Sequence, residues 1–109
     1  MTRSDHDNAE ARSLELHRLV ADRLRAEPTL LVRAQARVRG WLRDGTVSRV
    51  WAEAWAEALS RPLPELIALL GDPGQRARDL RQSSPFAGVL PPQERWAALR
   101  RLKGRTVRP

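Results

Sequence analysis

Few side chains in this sequence could do covalent or metal chemistry, and their spacing argues against it. Two histidines occur, His6 and His17, and there is no cysteine. A metal site usually needs three or four converging ligands, and neither an HxxxH nor an HExxH spacing is present. Without cysteine there is no disulfide, no thiolate ligand and no Cys nucleophile. Glu53 and Glu57 stand one helical turn apart, a spacing that invites a two-carboxylate mechanism. They fall opposite Trp51 and Trp55, so they should face water, where nothing separates their pKa values. Ser83 and Ser84 are expected to have no nearby base, and the six glycines are scattered as punctuation without forming a phosphate loop. The expectation is a protein that is not an enzyme and uses no cofactor or metal.

Binding is the better prospect, because the chain carries 20 Lys plus Arg against 13 Asp plus Glu. All the bases but Lys103 are Arg, whose planar fork suits phosphate and carboxylate. A GC-rich genome accounts for the same preference through its codons, so position is more informative than type. The first sixty residues hold ten bases and nine acids; the remainder hold ten and four. Arg33, Arg37, Arg39 and Arg43 flank both sides of an apolar helix stripe and make no single patch. Arg95, Arg100, Arg101, Lys103, Arg105 and Arg108 fall within the last fifteen residues, which contain no acid. A helix C-terminus welcomes a base or two through its dipole, and six exceed that need. Such a segment suits nucleic acid, through counterion release, or an acidic protein, through electrostatic steering. No zinc-finger, homeodomain or RNP signature is present, and the third helix is poor in base-reading side chains. Phosphate and carboxylate both stay open.

The elements that position these residues are helical. No stretch alternates strictly enough for a strand, whereas a 3.6-residue apolar period recurs. Asp7 with Glu10 resembles a capping box and starts a helix near Asn8, carrying Leu16, Val20 and Leu24. Pro28 opens a second helix with an apolar face of Leu31, Ala34, Val38, Trp41 and Leu42, ended by Asp44-Gly45. Thr46 caps a third, in which Val47, Val50, Trp51, Ala54, Trp55, Ala58 and Leu59 keep helical register. Trp51 and Trp55 could anchor an interface, but continuity with Val47 and Leu59 favours a core role. Pro62 and Pro64 separate a short fourth helix through Leu66, Ile67 and Leu70. Asp72-Pro73 with Gln75 opens a fifth to about Gln82, and Ser83-Ser84-Pro85 breaks it. Pro91-Pro92 starts the last, with Trp96, Leu99 and Leu102 as its stripe and Gly104 as its stop.

These elements predict an all-α fold, a compact irregular bundle of five to six short helices. A single helical domain is expected over 8–104, between a disordered tail at 1–7 and a basic tail at 105–109. No run approaches the roughly 20 apolar residues of a membrane span, and the polar N-terminus lacks a signal-peptide core. The expected location is cytoplasmic, without membrane attachment.

The least generic stretch is Leu80-Arg81-Gln82-Ser83-Ser84-Pro85-Phe86-Ala87-Gly88-Val89-Leu90. Its Phe86, Val89 and Leu90 are expected to fold back onto the bundle. With the following Glu94-Arg95-Trp96-Ala97-Ala98-Leu99-Arg100, and with Leu16 to Arg25, it resembles a group of short all-α bacterial proteins. These are similar to the antitoxins of two-gene toxin–antitoxin operons, and no catalytic residues carry over. The resemblance implies a non-enzymatic protein that binds and neutralises a co-encoded toxin by covering its active-site groove. The residues expected to meet that partner are Arg81, Phe86, Arg95, Trp96, Arg100 and Arg101. The alternative expectation is a DNA-binding transcriptional regulator that uses Arg95, Arg100, Arg101, Lys103, Arg105 and Arg108.

Overall fold

The apolar period is realised as six α-helices in a computed structural model, which describes the backbone of residues 2–107 and the side chains of residues 9–103. They are α1 (Thr2–Ala26), α2 (Leu30–Asp44), α3 (Arg49–Leu59), α4 (Leu63–Leu70), α5 (Gln75–Arg81) and α6 (Pro92–Val107). Among the described residues there is no strand, and no helix is long and apolar enough to cross a membrane. The fold is all-α, as the periodicity predicts. α2 and α3 pack extensively on each other, while α1 serves as the spine against which α2, α4, α5 and α6 pack.

The core forms where the apolar stripes converge. Leu24 of α1, Val38 of α2, Trp55 of α3, and Leu66 and Leu70 of α4 are fully enclosed. Trp55 brings the largest apolar surface and one polar atom, which must find a partner when buried. Its indole N–H donates to the Leu80 carbonyl at 2.9 Å, satisfying an acceptor at the end of α5. Phe86 meets the Trp55 ring edge-on, with centroids 6.0 Å apart. Phe86 is therefore buried, with Val89 and Leu90 half-buried beside the core, so the stretch after α5 does fold back.

Several element ends differ from the sequence reading. α1 begins at Thr2, ahead of the capping signal at Asp7, and α6 continues through Gly104 to Val107. Thr46 does not cap α3: its amide and hydroxyl both bond the Asp44 carboxylate, and Ser48 takes the cap position. Asp72 does not cap α5 either. Its carboxylate accepts the Gly74 amide at 2.7 Å in a tight local turn, which delays the helix to Gln75. Gly45 behaves as read, adopting φ +73° and donating to the Trp41 carbonyl at 2.9 Å. Of the apolar stripes, Leu42, Val50 and Trp96 are exposed. On α6 the residue that sits fully against the bundle is Ala98, whose small side chain permits close approach to α1.

Candidate functional site: a cationic cavity against the first helix

One face of α1, spaced three and four residues apart, carries Arg12, Ser13, Leu16, His17 and Val20. Opposite it run the end of α5 and the loop to α6, leaving a cavity of 490 Å³ between them. Trp41 of α2 and Arg95 of α6 complete the walls. The loop's shape follows from its residues. Pro85 is buried and ends the helical hydrogen bonding, and the Ser84 hydroxyl accepts the Phe86 amide at 3.1 Å. Gly88 takes φ +82°, a region open to glycine without strain, where the Val89 amide closes a turn onto the Phe86 carbonyl. From outside, Arg37 donates to the Ala87 carbonyl at 2.8 Å and pins the loop to α2.

His17 ties this loop to α1. Its Nδ1 lies 2.7 Å from the Ser13 carbonyl, which can only accept, so Nδ1 carries the proton. Nε2 then accepts the Ser84 hydroxyl at 2.8 Å. Burial is the main influence on the ring and lowers its pKa from the ordinary 6.5, which keeps it neutral in this role. The sequence reading that Ser84 lacks a base is thus corrected: the base lies 67 positions earlier and meets it across the fold. The set has the nucleophile, base and orienting acceptor of a hydrolytic pair. The neighbouring Phe86 amide, however, already donates to the Ser84 oxygen, so it offers nothing to an oxyanion.

Arg81 forms the floor. It is 5% exposed, and its Nη1 donates to the Asp72 carbonyl at 2.7 Å. Glu10 of α1 lies 3.9 Å from Nη2 while accepting the Arg78 Nε at 2.9 Å. Burial pushes the Arg81 guanidinium below the usual arginine range, with Glu10 and Asp72 opposing that effect. It remains a cation, since arginine keeps its proton in proteins. The Arg81 Nε and the Ser83 hydroxyl are shut from solvent and have no hydrogen-bond partner among the described residues.

The structure therefore divides the six residues expected to meet a protein partner. Arg81 and Phe86 lie inside and cannot reach a flat protein surface: one is held by Asp72 and Glu10, the other by Trp55. Arg95, Trp96, Arg100 and Arg101 are exposed but point different ways around α6. Arg95 lines the cavity, and Arg101 approaches Glu15 of α1 at 4.0 Å. Trp96, 63% exposed, shares its face with Arg100 and Lys103 at helical spacing. Glu94 fixes the start of this helix with two bonds to Arg23, at 2.7 and 3.2 Å. Of the residues named for nucleic acid, Arg108 and the Arg105 side chain lie outside the described residues, as does the His6 side chain.

Other candidates fall away from the cavity. Glu53 and Glu57 are exposed and pair with Arg49 and Arg61, as expected of a solvated face. Trp55 is core, whereas Trp51 is half-buried with the Arg76 guanidinium 5.2 Å above its ring. Among the described residues, no three His, Asp or Glu side chains gather as a metal site. No family model, no curated protein and no solved structure matches the chain.

Proposed function

We propose that the protein is a non-enzymatic interaction protein of the antitoxin type, which binds a co-encoded toxin through the outer face of α6. The observation that carries this reading is Trp96, a large apolar side chain left 63% exposed and followed on its face by Arg100 and Lys103. Tryptophan and arginine are the residues most enriched among the few that dominate interface energies. In the proposed complex Trp96 enters an apolar recess while Arg100 and Lys103 face carboxylates of the toxin. The body of the bundle then covers the toxin's active-site groove. Glu94 supports this arrangement by holding α6 to Arg23, so the face is presented without ordering a loose segment.

The test is co-expression with the product of the adjacent gene. The reading expects co-elution and rescue of growth, with both lost in a Trp96→Ala, Arg100→Glu variant. Hot-spot truncation costs about 2 kcal/mol or more, a loss of roughly thirtyfold in affinity. A complex that survives these substitutions contradicts the role of the face. Duplex DNA recognition by Arg95, Arg100, Arg101 and Lys103 has less support, because those side chains radiate around α6 and do not track one groove. It would show as affinity that falls steeply with salt.

A further inference from the structure

The cavity against α1 has features that folding does not require. Arg12, Arg81 and Arg95 line it, and among the described residues no Asp or Glu does. Among the described residues, neither Arg12 nor Arg95 is paired with a carboxylate. Glu10, the acid closest to Arg81, faces a separate recess with Leu14 and Pro73. Like charges gathered beside low-dielectric walls repel one another and concentrate positive potential in the space between them. An anion is the occupant that relieves this, and a neutral or cationic one is not.

The walls of the same space add to this. The cavity is also larger than a bare oxyanion needs. At 490 Å³ it falls within the range of about 300–1,000 Å³ that accommodates organic ligands. Leu16, Val20, Phe86 and Leu90 give it an apolar wall, and Trp41 gives it an aromatic one.

We propose that this cavity binds a small organic anion: a carboxylate or phosphate carried on an apolar body about the size of an aromatic ring. The anionic group sits between Arg12 and Arg95. The apolar body lies along Leu16, Val20 and Phe86. The His17–Ser84 bond holds the loop wall at its distance from α1. The site is separate from the Trp96 face, and the two stand or fall by different substitutions.

Calorimetric titration of the full chain with phenylphosphate and with benzoate, at about 0.15 M salt, tests the proposal. Phenol and inorganic phosphate serve as partial probes. A protein of this net charge attracts anions generally, so two variants with equal charge loss are compared. One is Arg12→Gln with Arg95→Gln; the other is Arg33→Gln with Arg39→Gln, on exposed positions of α2. Circular dichroism confirms that both fold. The expected result is one-to-one binding of at least one aryl anion, weakened about tenfold or more by the cavity pair and less than about twofold by the α2 pair. Phenol and inorganic phosphate should each bind more weakly than the better aryl anion. The proposal is overturned if neither aryl anion binds, if both variants weaken binding equally, or if phenol binds as well as the charged probes.

Discussion

Two pairs of arginines cluster at the N-terminal half of α1, and they differ in what neutralises them. Arg78 and Arg81 converge on Glu10, with the Asp72 carbonyl completing the set. Arg12 and Arg95 face the cavity, where no acid lies among the described residues. The first pair acts as a clamp that closes α5 onto α1, because a buried cation must be matched by acceptors within the fold. The second leaves charge unmatched at a concave surface, which the fold alone does not call for. A global excess of bases is thus a poor description of this molecule; function is better sought where the local balance fails.

The largest effect is expected at Phe86, the boundary between the core and the cavity. Phe86→Ala removes the edge contact to Trp55 and opens the cavity wall, and should cost about 3–5 kcal/mol in urea unfolding. A smaller cost would mean that the loop is not held by its apolar anchor. Next comes the clamp: Glu10→Gln leaves Arg78 and Arg81 without their carboxylate and should cost about 1–3 kcal/mol. Arg12→Gln, on the other side of the same helix, should leave the urea midpoint unchanged. Equal effects at the two positions would erase the distinction between clamp and cavity.

A pH series sharpens it further. The folded chain holds His17 neutral, with a lowered pKa, while the unfolded chain binds a proton as pH drops below the ordinary 6.5. Stability linked to His17 is therefore intact above that value and declines as pH falls beneath it. The decline, followed by urea midpoints between about pH 7.5 and about pH 5.5, should be shallower in His17→Gln. An unchanged slope would show that His17 does not carry the linkage.

The helical class was legible because apolar periodicity is a local property, and α2 shows why: Ala34 and Val38 are buried and Gly45 ends the helix as its type requires. α6 shows the limit. Its large residues suggested a stripe of Trp96, Leu99 and Leu102, but Ala98 is the residue in full contact, because close packing selects for small size as readily as for hydrophobicity. The cap positions at Thr46 and Asp72 misled for a related reason: their partners are side-chain–backbone turns that compete with helix capping. Within the candidate site, the stretch after α5 was recognisable as unusual, yet its chemistry was not. Arg81 reads as a surface residue until Asp72 and Glu10 are seen around it. His17 and Ser84 are 67 positions apart, and no spacing rule joins them.

The most direct measurement is a two-dimensional amide spectrum of the protein titrated with phenylphosphate. The account predicts shifts concentrated at Arg12, Ser84 and Gly88 around the cavity, with Glu10 and Arg78 at the clamp unmoved. Shifts spread over the exposed arginines of α2, or centred on the clamp, would contradict it.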